Sequence, residues 1–113
     1  MHELGLCDSL LKMVREIAQE EELTEIIRIT VEVGTLSGVV PAYMQDCWTA
    51  VTDGTELADT EFVVEELQGT ARCLDCGAEF PSDVNHLSCP ACGGAKLTPL
   101  TGRDLTLKEI LAP

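Results

Sequence analysis

The clearest deficit in this sequence is positive charge. Its 113 residues include 7 Lys and Arg against 20 Asp and Glu, which gives a formal net charge of −13 at pH 7. Phosphate backbones and anionic membrane surfaces repel such a chain, so we expect neither nucleic-acid nor membrane binding. The acidity is typical of a well-solvated surface, and it also favours a basic partner or cations.

Aromatic residues and long apolar runs are scarce as well. Aromatics make up 4% of the chain, so Leu, Ile, Val and Ala must form most of the core. No apolar run approaches the roughly 20 residues that span a bilayer. The N-terminus carries an acid at Glu3 and no basic stretch, unlike a signal peptide. We therefore expect a cytoplasmic protein of one domain, or of one domain with a small insert.

Two segments have helical periodicity. Apolar residues recur every three or four positions over residues 4–20, and Pro41 is suited to the first turn of a second helix that Gly54 would cap. The predicted apolar stripe of the first helix is Leu4, Cys7, Leu10, Leu11, Val14, Ile17 and Ala18. That of the second is Val40, Tyr43, Met44, Cys47, Trp48 and Val51.

Three segments are predicted to be strands. Residues 26–33 alternate between apolar and polar, with Ile27, Ile29, Val31 and Val33 on one face. Residues 61–67 and 104–111 are the second and third strands. The predicted fold class is α+β: a small three-stranded mixed sheet with two helices, plus an inserted zinc-ribbon loop. We expect residues 1–69 and 100–113 to form one α/β domain, and residues 70–99 a zinc-ribbon domain.

The insert contains two CxxC pairs. Cys73 and Cys76 form the first, and Cys89 and Cys92 follow after twelve intervening residues. Zinc binds four thiolates at tetrahedral corners, and each CxxC turn supplies two of them. A glycine follows each pair, so that the chain can fold back with its amides pointing at the sulfur atoms. A closed four-cysteine site is structural rather than catalytic; the alternatives are an iron or iron–sulfur site and redox disulfides.

The remaining cysteines and histidines need separate interpretation. Cys7 and Cys47 lie on predicted apolar stripes and are expected to be core residues rather than ligands. His86 lies three residues before Cys89, and we interpret it as a solvated loop residue. The alternative is that His86 replaces a cysteine or contributes to a second metal site.

The first three residues, Met1-His2-Glu3, offer a second kind of metal chemistry. The α-amine of Met1, the peptide nitrogen of His2 and the His2 imidazole can chelate one ion through fused small rings. Nitrogen donors in a planar arrangement suit Ni(II) or Cu(II). Glu3 would add its peptide nitrogen or an orienting carboxylate. From the residues alone, a flexible terminus remains the more ordinary interpretation.

Taken together, these residues resemble the HypA/HybF family of hydrogenase maturation proteins. The resemblance rests on Met1-His2-Glu3-Leu4 with Cys7-Asp8-Ser9-Leu10-Leu11, on Glu32-Val33-Gly34-Thr35-Leu36-Ser37, on the Pro41 helix and on the four paired cysteines. It covers nearly the whole chain in the right order.

The resemblance implies a function. HypA-like proteins deliver nickel during assembly of the [NiFe]-hydrogenase active site, with a HypB-type GTPase and the hydrogenase large-subunit precursor as partners. It implies that Met1, His2 and Glu3 bind Ni(II), with His2 essential, and that Cys73, Cys76, Cys89 and Cys92 bind structural Zn(II). Unlike some relatives, this chain has no histidine beside the second cysteine pair, which leaves the fourth nickel donor unnamed. The oligomeric state is open, and a homodimer is one option.

Two other function classes compete with nickel delivery. A zinc-ribbon module for protein interaction or nucleic-acid binding is the alternative, although residues 70–99 contain only two basic residues, Arg72 and Lys96. A catalytic zinc or redox enzyme is the other. No paired carboxylates, nucleophile elbow or phosphate-binding glycine loop is visible, so we expect no enzymatic activity.

Overall fold

The computed structural model describes residues 2–85 and 87–113, apart from the side chain of His2. Two helices and six strands follow one another along the chain. They are α1 (His2–Glu20), β1 (Arg28–Gly34), α2 (Pro41–Thr52), β2 (Glu61–Leu67), β3 (Gly69–Cys73), β4 (Glu79–Ser82), β5 (Leu97–Thr101) and β6 (Leu105–Leu111). Both helices and all three strands predicted from periodicity are present, with bounds that differ by at most two residues.

Each helix buries the side chains along one of its faces. In α1 the buried positions are Cys7, Leu10, Leu11 and Val14, and in α2 they are Met44, Cys47, Trp48 and Thr52. These spacings of three and four residues keep the side chains on one face of each helix. The Cys7 thiol donates to the Met44 carbonyl across 3.4 Å, and the Trp48 ring stacks on Phe62 with centroids 4.5 Å apart.

The predicted stripes were wrong at their margins. Leu4, Val40 and Tyr43 are exposed, Tyr43 by 61%. Val40 precedes the first turn of α2, and Tyr43 is turned about 100° from Met44, which points into the core. The first described residues of each helix are therefore not buried, and the buried residues start at Cys7 in α1 and at Met44 in α2.

The first sheet has the strand order β2-β1-β6. Ile27 exchanges backbone hydrogen bonds with both neighbours, donating to Leu111 and accepting from Glu61, whereas Gly34 donates to Asp104. Ile27 thus pairs with Leu111, whereas Gly34, later in β1, pairs with the earlier residue Asp104. This order makes β6 antiparallel to β1. Thr35 donates to Leu67, which makes β2 parallel to β1. The predicted three-stranded mixed sheet is thus confirmed, although Ile27 lies outside β1 and is exposed.

The cysteine insert has a sheet of its own, with the order β4-β3-β5. Both pairings are antiparallel, with Ala71 opposite Phe80 on one side and Cys73 opposite Leu97 on the other. No strand is predicted here from the sequence pattern. The buried positions of β3 are filled by Gly, Ala and Cys, so the alternation carries almost no hydrophobic signal.

The chain divides into two compact units. One comprises residues 1–31, 39–65 and 106–113, and contains both helices. The other comprises residues 32–38 and 66–105, and contains β3, β4 and β5. Compactness does not measure independent folding, so the expected domain boundaries at 70 and 99 stay a prediction. Across the described residues, neither helix combines the length and apolar character that a bilayer crossing requires.

Candidate metal centre

Four cysteine sulfur atoms converge in the second unit. The Sγ atoms of Cys73, Cys76, Cys89 and Cys92 all lie within 4.8 Å of one another. Two contacts cross between the pairs: Cys73 to Cys92 at 3.5 Å and Cys76 to Cys89 at 3.6 Å. Zinc bound to four thiolates at about 2.3 Å places them roughly 3.8 Å apart. The predicted ligand set is therefore brought together in a cluster that fits tetrahedral zinc.

Each CxxC pair is shaped by a tight turn closed by a glycine. Gly77 donates to the Cys73 carbonyl, and Gly93 donates to the Cys89 carbonyl, both at 2.8 Å. Both glycines have left-handed backbone angles, φ +78° and +74°, which side chains beyond glycine rarely adopt. The glycine after each pair is thus needed for the chain to turn back beneath the sulfur atoms, as predicted.

Backbone amides point at the sulfur atoms of the second pair. Ala91 N–H donates to Cys89 Sγ across 3.3 Å, and Gly94 N–H donates to Cys92 Sγ across 3.4 Å. Such hydrogen bonds stabilise a thiolate, which is the form that binds metal. The turns therefore do more than place the cysteines, since they also favour their ionised state.

The four ligands differ in their access to solvent. Cys73 and Cys89 are buried, whereas Cys76 and Cys92 are exposed. Cys73 is the last residue of β3 and pairs with β5, so the sheet fixes its position. The centre thus has one side built on the sheet and one side open to solvent.

Without a cation, the pKa values of Cys89 and Cys92 are shifted in opposite directions. Burial raises the pKa of Cys89, but the N–H groups of Cys92 and Ala91 outweigh it and lower the pKa to about 7. At Cys92 the Gly94 N–H lowers the pKa, but the sulfur atoms of Cys73 and Cys76 raise it to about 12. The Cys89 thiolate is thus favoured, whereas the Cys92 thiolate is disfavoured. A divalent cation removes this conflict, because it stabilises all four thiolates at once.

A carboxylate that is not among the predicted site residues lies beside the second turn. A Cβ atom added at Gly94 would lie 2.7 Å from Asp75 Oδ2 and 3.3 Å from Cys92 Sγ. Asp75 sits between the cysteines of the first pair, so it bridges the space between the two turns. Only the acidic residue inside the CxxC motif could have signalled this from sequence.

Of the three predicted nickel residues, His2 and Glu3 belong to the first unit. Met1 and His86 lie outside the described residues, and of His2 the structure gives only its position as the first residue of α1. Glu3 lies in the first turn of α1. Its carboxylate accepts a hydrogen bond of 3.3 Å from the backbone N–H of Val40, which precedes α2. The predicted nickel site therefore stays a prediction.

The two remaining cysteines are core residues, as predicted. Cys7 is fully buried and Cys47 is 8% exposed. Burial, with smaller contributions from Cys47 and Glu3, raises the pKa of Cys7 to about 11. Among the described residues, neither thiol belongs to a cluster of potential metal ligands.

Comparison with known proteins identifies the family. The profile described as "Hydrogenase/urease nickel incorporation, metallochaperone, hypA" matches residues 1–112. The chain is 36% identical over 110 residues to the hydrogenase maturation factor HypA of Geotalea uraniireducens, with 97% of each chain covered. It is 34% identical to that of Rhodopseudomonas palustris strain BisB5, again with 97% of each covered.

The fold agrees with this match. The solution structure of the nickel metallochaperone HypA from Helicobacter pylori superposes with a TM-score of 0.67 at 17% identity, covering 97% of this chain and 96% of that one. A second HypA solution structure gives a TM-score of 0.68 at 19% identity. Profile, relatives and fold agree over nearly the full length, so this chain belongs to the HypA family of hydrogenase maturation metallochaperones.

Proposed function

We propose that this protein carries Ni(II) to the maturing [NiFe]-hydrogenase, with nickel held at residues 1–3 and Zn(II) at the four cysteines. The match to the family over residues 1–112 is the observation that supports this most. We further propose that it acts in the cytoplasm with a HypB-type GTPase and the hydrogenase large-subunit precursor. The relatives named as hydrogenase maturation factors support a hydrogenase-related role.

The proposed nickel site uses His2 as its essential ligand. The α-amine of Met1, the His2 imidazole and backbone nitrogens of the opening residues supply the other donors. Amides in the first turn of an α-helix do not donate to a carbonyl four residues earlier. Because His2 begins α1, deprotonating such an amide for metal binding costs no helical hydrogen bond.

Glu3 is proposed to orient this segment. Its carboxylate bonds to the Val40 N–H, which ties the first turn of α1 to the start of α2. A carboxylate near the N-terminus of a helix is stabilised by the helix dipole, so the contact is favourable on both counts. Glu3 would thus offer its backbone nitrogen to nickel, while its side chain holds the first turn of α1 in position.

The two metals are proposed to have different exchange properties. Four thiolates leave zinc no open coordination position, so it stays with the protein and stabilises the second unit. Nickel at a chain terminus is held by donors that a partner can replace one at a time. Amine, amide and imidazole must all be deprotonated to bind, so acidification favours release.

Nickel titration of the zinc-loaded protein tests the proposal. His2→Ala should weaken nickel binding by roughly 100-fold or more, as expected for the loss of an essential donor. One residue added before Met1 should also weaken it, because the amine is displaced. His86→Ala is the matched control and should keep the parent affinity. Unchanged affinity in His2→Ala, or nickel displacing zinc from the cysteines, would contradict the proposal.

The nucleic-acid alternative is tested in parallel. Its support is the ribbon itself, but the net charge of −13 opposes it. Binding of the protein to DNA or RNA that weakens steeply with salt would favour this alternative over nickel delivery.

A further inference from the structure

A groove lies at the C-terminal end of α1, within the first unit, and none of the four clustered cysteines lines it. It encloses about 660 Å³ between α1, residues 23–27 and residues 56–60. Val14 and Leu57 are buried at its base, and Ala18, Leu23 and Ile26 add apolar surface. Neither the zinc centre nor the proposed nickel site uses any of these residues.

The groove is held in place by contacts across it. The Arg15 guanidinium donates twice to the Glu56 carboxylate, at 2.8 and 3.1 Å, which joins α1 to the opposite wall. Thr60 Oγ1 donates to the Ile26 carbonyl at 2.9 Å. At the end of α1, Leu23 N–H donates to the Ala18 carbonyl at 2.8 Å. These contacts join the walls of the groove to one another.

The charge of the groove is unbalanced. Among the described residues that line it, Arg15 alone is positive, and its charge is already matched by Glu56. Two exposed carboxylates, Glu25 and Asp59, remain on the lining. The rim thus attracts cations while the base is apolar.

Three more carboxylates lie at the C-terminal end of α1, where they destabilise the helix. Glu20 ends α1, Glu21 and Glu22 follow it, and no basic residue lies in the last turn. The C-terminus of a helix is the negative end of its dipole, so carboxylates there are destabilising. This charge borders the groove at Leu23 and Glu25, and it adds to the field that a partner would meet.

We propose that this groove is the docking site for a partner protein segment that carries Lys or Arg beside apolar side chains. The apolar stems and neighbours of such residues contact Val14, Ala18 and Leu57, and the cationic heads reach Glu25 and Asp59. A second copy of this chain fits poorly, because two bodies of charge −13 repel each other.

The position of the groove has a consequence for nickel transfer, which rests on the proposed function. Val14 lies twelve residues after His2 along α1, about 18 Å away at 1.5 Å per residue. A short partner segment held in the groove therefore does not need to cover His2. The docking itself does not depend on where nickel binds.

The test measures binding of the full-length, zinc-loaded protein to two purified probes from the same organism, the HypB-type GTPase and the hydrogenase large-subunit precursor. The double variant Glu25→Lys/Asp59→Lys should weaken binding of at least one probe about tenfold or more, because like charges then face each other. The matched control Asp46→Lys/Glu66→Lys makes the same change in net charge at exposed positions elsewhere and should leave binding within about threefold. Zinc content and thermal unfolding of each variant verify folding.

Two further measurements separate the apolar and charged contributions. Ala18→Leu fills the groove and should weaken the same probe, whereas Ala50→Leu on the exposed part of α2 should not. The effect of the double lysine variant should shrink in about 1 M salt, where the screening length falls to about 3 Å. Nickel affinity should be unchanged in the groove variants, so failure of docking and failure of the nickel site are distinguishable.

Several results would overturn the proposal. They are equal weakening by the groove and control variants, no weakening by either, and no binding of the parent protein to either probe. Concentration-dependent dimerisation that the groove variants abolish would identify a second copy as the occupant and would equally reject a basic partner.

Discussion

The hydroxyl of Thr35 donates a hydrogen bond of 2.7 Å to the backbone carbonyl of Ser82. The same oxygen accepts a bond of 2.8 Å from the N–H of Gly69. One side chain therefore fastens the end of β4 and the start of β3 within the unit that carries the cysteines. Gln68 reinforces this arrangement by donating to the Ser82 carbonyl at 3.0 Å.

Replacing this hydroxyl should destabilise the second unit. Thr35→Val keeps the shape but removes both hydrogen bonds, so we expect the free energy of unfolding to fall by about 2 kcal/mol. Thr35→Ser keeps the hydroxyl and should cost less than about 1 kcal/mol. Denaturant unfolding of the zinc-loaded protein measures both, and equal losses for Val and Ser would show that the hydroxyl is not responsible.

A Cβ atom added at Gly34 would overlap with the backbone of Gly102, and one added at Gly102 would overlap with the backbone of Gly69. Backbone cannot move aside as a flexible side chain can, so Gly34→Ala should cost about 3 kcal/mol or more. Gly5→Ala is the control. Gly5 lies in α1 with open space around its Cβ position, and alanine there should stabilise the helix by about 0.5 kcal/mol.

Thermal unfolding of both variants checks this contrast. A fall in melting temperature for Gly34→Ala with a small rise for Gly5→Ala is the expected result. A neutral Gly34→Ala would mean that the close approach to Gly102 relaxes without cost.

The hydrogen bonds of Thr35 and the close approach of Gly34 to Gly102 could not be predicted from the sequence. The periodicity of α1 and β1 was readable because each buries Leu, Ile or Val at fixed spacing. Gly34 was predicted to end a strand, but its contact with Gly102 joins residues far apart in sequence and leaves no local pattern. Thr35 likewise has no neighbour in sequence that reveals its bonds to Gly69 and Ser82.

The candidate metal centre was likewise predictable from the sequence only in part. The CxxC spacing predicted the ligand set, since two adjacent corners of a tetrahedron come from one turn of chain. The difference in exposure between Cys73 and Cys76 could not be predicted, because it depends on the pairing of β3 with β5. Asp75 was passed over because its proximity to Gly94 arises only when the two turns face each other.

Loss of one cysteine ligand should release zinc and unfold the second unit. Cys92→Ala leaves three thiolates, and we expect zinc affinity to fall by roughly 100-fold or more. Cys47→Ala removes a buried cysteine that is not a ligand, so it should retain one zinc per chain. Metal analysis after dialysis against a chelator distinguishes them, and zinc retained by Cys92→Ala would exclude Cys92 as a ligand.

Acidification should weaken zinc binding in the parent protein as well. Protons compete with zinc for the thiolates, and the pKa of Cys92 is raised to about 12 before metal binds. Zinc affinity should therefore fall as the pH is lowered from 8 to 6. A chelator competition at each pH measures this, and affinity independent of pH would contradict a thiolate site.

The Cys7 thiol should make stability depend on pH in the alkaline range. Burial, with smaller contributions from Cys47 and Glu3, raises its pKa from an unfolded value of 9.0 to about 11. The folded state therefore holds the proton more tightly than the unfolded state between these two values. The stabilisation is fully present below pH 9 and is lost as pH rises toward 11, by up to about 3 kcal/mol. Denaturant unfolding at pH 8 and pH 10.5 should show this decline, and Cys7→Ala should show less of it because the titrating group is gone. The same alkaline decline in both proteins would assign it to other groups and leave Cys7 without a part in it.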